Sequence, residues 1–331
     1  MSRLSKFWWV PVVLFIALFP PTLGNMSSYR CGILIFIGIY VILGVSLDLL
    51  IGYAGQISVG HAAFFAIGAY TSGILTARYA MSPLFAMVCG MVASGCVAWA
   101  VGRPVLALKE YYLAMATLAL NMIVVTLIVG LQGLTGGASG LRDIPSFSLF
   151  GFSFDNFVYY YYLVWVVVVA VVICCLAVVR SPFGRTVLAV HSDETAARSM
   201  GIDCARYKLR IYMLSAILAS IAGSLFAHYM SFLAPDDFGI EASINMLVML
   251  YLGGVGTIFG PVLGAVFVKL LPELTYKFHD YEMLTNGLIL MVVLVFMRKG
   301  IFGLLARLWT PAAPPGGIQA PPAEYAQDNG R

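Results

Sequence analysis

Nine long apolar stretches carry no Asp, Glu, Lys or Arg, at residues 7–29, 31–47, 49–77, 79–102, 112–131, 158–179, 211–235, 242–268 and 283–297. Crossing a hydrocarbon core of about 30 Å takes roughly 20 apolar helical residues. These runs are too long and too continuous to be the alternating strands of a barrel, so the chain reads as an all-α, polytopic transmembrane helical bundle. Composition agrees: 10% of the 331 residues are charged, against about 25% in a soluble domain, and mean hydropathy is +0.93.

The net charge of +4 is read through its distribution, as a topology signal and not as a surface for nucleic acid. With Arg3 and Lys6 inside, only Arg30, Arg78, Arg142, Lys269 and Lys277 fall outside, and the remaining basic residues of the 19 are cytoplasmic. This bias requires the run from 242 to about 271 to enter and leave on one side. Its centre, YLGGVGTIFGPVLGA, carries Gly253, Gly254, Gly256 and Pro261, which predict two short helices meeting at a break. The expected bundle therefore has about eight full spans plus a re-entrant or broken helical hairpin near 243–272, with both termini cytoplasmic. Residues 1–308 form the membrane domain, with a cytoplasmic loop at 180–210, and the Pro/Gly/Ala-rich stretch 309–331 is a disordered cytoplasmic tail. The first span is read as an uncleaved anchor, because FPPTLGN lacks a small-x-small cleavage site. The six cysteines have no metal spacing and are expected to be reduced.

Enzyme constellations are missing from the sequence. No lysine follows a glycine, so there is no Walker loop, and H-E-x-x-H, C-x-x-C and G-x-S-x-G do not occur. His61, His191, His228 and His279 are scattered, no cofactor or metal is expected, and the chain reads as a non-enzyme.

Polar groups do cluster in DLLIGYAGQISVGHAAFFAIGAY, residues 48–70, where Gly52, Gly55, Gly60 and Gly68 interrupt an apolar run that also holds Gln56, Ser58 and His61. Backbone freed by such a break must be satisfied inside the protein or by a water-filled cavity. Paired Gly/Pro-interrupted segments in the two halves of a chain mark a transporter's pathway. The candidate pathway residues are therefore Gly52, Gln56, Ser58, Gly60 and His61 with Gly253, Gly254, Gly256 and Pro261. Close helix packing is the alternative, and it explains Gly68 and Ala69 well. Asp48 either belongs to this region or caps a helix at the cytoplasmic interface, and Asn121 is read as a helix-to-helix hydrogen bond.

One island breaks the oil. HSDETAARSMGIDCARYKLR, residues 191–210, carries seven formal charges in 20 positions. Each would cost about 2.5–3.5 kcal/mol at a helix centre, so the stretch is a cytoplasmic loop. Within it Ser192 can cap a two-turn helix, Asp193 and Glu194 favour its first turn, and Gly201 can end it. Ala196, Ala197 and Met200 would then offer a small apolar patch to a groove on another protein. The alternative is a plain solvated loop that holds topology.

TAARSMG, residues 195–201, resembles the EAA loop of ABC importer permeases, with Thr195 where the leading Glu often stands and Glu194 one place earlier. With GYAGQISVGHAAFFAIGAY, GRTVLAVHSDETAARSMGIDCARYKL and SINMLVMLYLGGVGTIFGPVLGA, the chain from about 48 to 300 resembles the LivM-type permeases of branched-chain amino acid ABC importers. The resemblance implies a multi-pass subunit of the bacterial inner membrane. Its implied partners are a homologous permease, two ABC ATPase subunits and a periplasmic substrate-binding protein, with Glu194, Thr195, Ala196, Ala197, Met200 and Gly201 docking the ATPase. Leucine, isoleucine and valine are the first expected substrates, and urea or short amides the second. A stand-alone channel or a membrane-embedded enzyme remains open from another class. The loop LTGGASGLRDIP, residues 134–145, either meets the binding protein or is only a tight turn.

Overall fold

The computed structural model describes residues 28–106, 108, 110–149, 152–275, 287 and 291. The expected first span, but for its last two positions, the run 283–297, but for two positions, and the tail 309–331 lie outside the described residues.

The chain is a helical bundle. Helix α1, Ser28–Asp48, runs into a π-helical turn, Leu49–Tyr53, and is followed by α2, Ala62–Tyr79, α3, Pro83–Val105, and α4, Glu110–Gly130. A small antiparallel hairpin, β1 Ser148–Leu149 and β2 Phe152–Ser153, precedes α5, Phe157–Arg180. Then come α6, Pro182–Ser192, α7, Glu194–Ser199, α8, Cys204–Met230, α9, Ile240–Gly253, and α10, Gly260–Thr275. Five helices among the described residues are long and apolar enough to cross a membrane: Tyr29–Tyr53, α3, Tyr111–Gly130, α5 and α8.

Burial ranks these helices. The apolar window of the first is 78% buried, whereas those of α3 and α5 are 28% buried, so α1 sits at the centre and α3 and α5 at the edge. Helix α8 packs on α1, α2 and α3 through small residues: a Cβ on Gly68 would lie 2.5 Å from Ser220 Cα, and one on Gly223 would meet the Ala69 backbone at 2.7 Å. Close packing is therefore the role of Gly68.

The ends of the bundle are distinct. At one, Tyr229 meets Phe36, Phe157 and Tyr160, and Leu141 and Leu233 pair backbone to backbone at 3.0 and 2.9 Å. The loop 134–145 folds there as tight turns, with Gly136, Gly137 and Gly140 at φ +83°, +61° and +75°. His228 Nδ1 ties it down by donating to the Pro145 carbonyl at 2.8 Å.

Helices α9 and α10 form the expected broken pair. They are antiparallel, because Gly253 approaches Gly260 and Gly264, and Gly264 approaches Met249. Phe238, just before α9, packs on Phe65, Tyr70 and Phe226, and Lys269 in α10 lies 3.6 Å above the Tyr40 ring. The hairpin thus enters and leaves at the Tyr229 end, and its tip, residues 254–259, points the other way.

The polar island contains the short helix expected of it and is more helical than that expectation. It holds the last turn of α6, the whole of α7 and the first turns of α8, so Arg206, Lys208 and Arg210 are helical. Charges placed on helix ends outside the apolar run keep their solvent, so the cost that excludes them from a helix centre does not arise.

Candidate functional site

The two breaks meet. After the π turn, residues 54–61 leave the helix, with Gly55 at φ +67°. Their backbone groups find partners in the preceding turn and across the bundle. Gln56 N–H donates to Leu50 O at 3.0 Å, Val59 N–H to Thr117 Oγ1 at 3.1 Å and Ala62 N–H to Ser243 Oγ at 3.2 Å. In the hairpin tip Gly254 and Gly256 take φ +116° and +77°, Thr257 Oγ1 donates to Gly254 O at 3.0 Å, and Gly256 N–H donates to Asp48 Oδ1 at 2.7 Å. Gly52, one turn beyond Asp48, presses on the same residue: a Cβ there would lie 2.5 Å from Gly256 N. Asp48 and Gly52 therefore clamp Gly256 from two successive turns. Asp48 is fully buried, so it belongs to the break region and not to the membrane interface.

Around this junction several polar atoms stand unpaired. Ser46 Oγ lies 2.7 Å from Leu43 O and 2.8 Å from His61 Nε2. A carbonyl only accepts, so the hydroxyl proton goes to Leu43, and Nε2–H of His61 donates to Ser46. That leaves His61 Nδ1 as a free acceptor, and it has no partner. Both amide atoms of Gln56, Ser58 Oγ and Asp48 Oδ2 are also buried without one. A buried polar group left unsatisfied costs about 1–3 kcal/mol. Four such side chains at one break are the chemistry of a site that receives water or a polar solute. Gln56 also lines a cavity of about 1120 Å³ that runs past Gly55, Arg103 and His191 to Glu194 and Lys208.

Other pathway candidates shape the backbone. Gly60 lets the loop lie against the Thr117 main chain, Gly253 lets the hairpin arms touch, and Pro261 opens α10 with its ring against Gly44. Asn121 does not make the helix-to-helix hydrogen bond expected of it: it is buried and neither amide atom has a partner. It lies one turn from Thr117 on α4.

The island forms a second local unit. Asp193, not Ser192, caps α7, accepting from the Thr195 and Ala196 amides at 2.9 and 3.0 Å, while Ser192 ends α6 with its hydroxyl on Leu188 O. The carboxylate wins because its charge meets the positive end of the helix. Glu194 bonds Lys208 at 2.6 Å and Arg198 at 2.7 Å, pinning α7 to α8. The Lys208 hydrogen bond, with Arg198, holds the Glu194 carboxyl below its usual range. Ala197 is not part of an outward patch, since it packs inward on Val190 and Cys204. Thr195, Ala196 and Met200 are exposed, Met200 by 82%. Gly201 ends the helix at φ +81° with its N–H on Arg198 O at 2.9 Å.

Sequence reasoning did not single out Ser46, Thr117, Ser243 or His191. Nothing marks these three hydroxyls among the other Ser and Thr of the spans, because their role is set by which break they face. Among the described residues no group of three or more metal-ligating side chains gathers.

Residues 29–297 match the family described as the permease component of the branched-chain amino acid transport system. The permease protein LivM of Salmonella typhimurium is 31% identical over 286 residues, which is 80% of this chain and 67% of that protein. LivM of Escherichia coli is 30% identical over the same shares. The Escherichia coli permease protein LivH is 23% identical over 80% of this chain and 91% of its own length.

Proposed function

The chain belongs to the branched-chain amino acid transport system permease family, and from that premise we propose how its parts serve transport. It is a permease subunit of an ABC importer for branched-chain amino acids, a multi-pass membrane protein that works with ATPase subunits and a substrate-binding protein. In our reading the assembly holds two ATPase subunits and a homologous permease in the bacterial inner membrane. The chain crosses about eight times, with a re-entrant hairpin and both termini cytoplasmic, and this places the α7 end inside.

The carrying observation is the junction at Gly256, where two interrupted elements are clamped together beside buried, unpaired polar side chains. Gln56, Ser58 and His61 offer hydrogen bonds to a solute in transit, while Gly52, Gly60, Gly253, Gly254, Gly256 and Pro261 let the broken segments pack around it. At the break itself Gln56, Ser58 and His61 offer polar groups without a fixed charge, which suits a ligand with an apolar side chain that an external binding protein has already selected. Glu194, Thr195, Ala196, Met200 and Gly201 present the docking helix to the ATPase, and Ala197 supports it from beneath. Closure of the ATPases on ATP then moves α7 and switches the bundle between outward-open and inward-open arrangements.

Purification from native membranes in mild detergent, with a tag after Arg331, tests this reading. Recovery of nucleotide-binding subunits and a second permease is the expected result, with leucine uptake competed by isoleucine and valine and not by urea. A folded chain recovered alone in good yield would overturn it in favour of a channel.

A further inference from the structure

The docking helix and the broken pathway segment are joined by one side chain. His191 stands in the last turn of α6, two residues before the Asp193 cap of α7. Its Nδ1 lies 3.2 Å from the Tyr53 carbonyl. A carbonyl can only accept, so Nδ1 carries the proton in this contact. Tyr53 closes the π turn, and its oxygen is one of the carbonyls that a helix end leaves without an intrahelical donor. The ring also rests on the next bend of the chain: a Cβ on Gly55, which already takes φ +67°, would lie 2.8 Å from His191 Nε2. Gln56 follows directly, with both amide atoms unpaired.

We propose that His191 is a positioning residue that transmits the placement of the docking helix to the Tyr53–Gln56 bend, and so sets whether the polar side chains of the break face the route. The inference rests on the reading of α7 as the ATPase-docking element. The physical case is one of stiffness. Helix α7 is held at its start by the Asp193 cap and the Glu194–Lys208 pair to α8, and its Ala197 packs on Val190 of α6, so it moves as one piece with α6. Residues 54–61 have no helical ladder of their own, so they follow whatever grips them. His191 grips them at a carbonyl and at a residue with no side chain to yield.

The test uses the whole importer reconstituted in vesicles with leucine-loaded binding protein. Two substitutions at the joint separate bonding from bulk: His191→Leu removes the donor, and His191→Asn returns an N–H near the Nδ1 position. All chains are expected to retain their ATPase subunits through purification. His191→Leu should then move at least tenfold less leucine per ATP hydrolysed, and His191→Asn should recover to within threefold of wild type. Gly55→Ala, which pushes a methyl group into the same ring, should give a loss like that of His191→Leu and serves where the leucine variant does not accumulate. Leucine moved per ATP within twofold of wild type in both His191→Leu and Gly55→Ala would overturn the inference alone. Equal losses in His191→Leu and His191→Asn would overturn it too, because the contact would then be packing and not the hydrogen bond. A wild-type complex that retains no ATPase subunit would instead remove the docking reading and this inference with it.

Discussion

Asp48 offers one carboxylate oxygen to Gly256 N–H and leaves the other unpaired in a fully buried position. What the junction needs from it is an acceptor, and an amide oxygen supplies one. Asp48→Asn is therefore expected to keep leucine uptake within about threefold of wild type, whereas Asp48→Leu strands the Gly256 amide at a cost of about 1–3 kcal/mol and should lower both uptake and detergent melting temperature. Equal effects of the two substitutions would show that the charge, and not the bond, is what matters. Gln56 is the converse case, a side chain with no structural bond to lose. Gln56→Leu should reduce uptake severalfold with assembly and melting temperature unchanged, and unchanged uptake would return residues 54–61 to simple packing. The sequence pointed to Gln56, Ser58 and His61 because polar side chains stand out in an apolar run. It left Asp48 undecided between two places, since one acid at a run's edge looks the same at an interface and at a buried clamp.

Helix α7 shows what short elements require. Its six residues are too few to be stable alone, so caps and neighbours hold it. Gly201 serves through its left-handed backbone, and no atom lies within 4 Å of where its Cβ would be. Gly201→Asn should thus be tolerated and Gly201→Val should not, measured as uptake at equal membrane level; loss in both would assign the position to ATPase contact. Glu194 titrates below the ordinary carboxylate value, so its stabilisation is complete above that value and is lost as pH falls through the lower folded one. Both side chains are partly exposed, so solvent screens the pair and the effect is about 1 kcal/mol or less. In a chain whose native cysteines are replaced by serine, a spin label at Ser199→Cys should keep its mobility through neutral pH and loosen only as pH falls below the ordinary carboxylate range. In the hairpin of α9 and α10, Gly264 lies 3.0 Å, by its absent Cβ, from the Met249 carbonyl carbon. Gly264→Val should split the hairpin and cut membrane yield severalfold, while Gly130→Ala, with open space around it, should not.

Across the whole molecule, the bundle separates an end tied by the Leu141–Leu233 bridge from an end carrying His191 and α7. In the topology proposed from the distribution of basic residues the first end faces outside and the second inside. In a chain whose six cysteines are replaced by serine, a membrane-impermeant maleimide should label Asp143→Cys from outside intact cells and Met200→Cys only after the inner face is opened. Labelling of both from one side would break the topology. The hairpin gives this arrangement its logic: by entering and leaving at one end it keeps the count of crossings, and by reaching Gly52 with its tip it brings the second break to the first.

What the sequence determined by itself was the material and the rhythm. Long uncharged runs demand helices in a membrane because lipid offers no partner for backbone groups, and the glycine clusters at 52–60 and 253–264 marked where two of them break, at Gly55 and at Gly254–Gly256. The charged island had to stay out of the apolar layer for the same electrostatic reason. Which interruptions meet, that Ala197 turns inward, and that Thr117, Ser243 and His191 serve the freed backbone of residues 53–62 were settled by packing between distant segments alone. Those contacts join residues separated by 58, 181 and 138 positions. Periodicity and local propensity act over one or two turns, whereas a hydroxyl meets a distant amide only where packing has already brought two helices together.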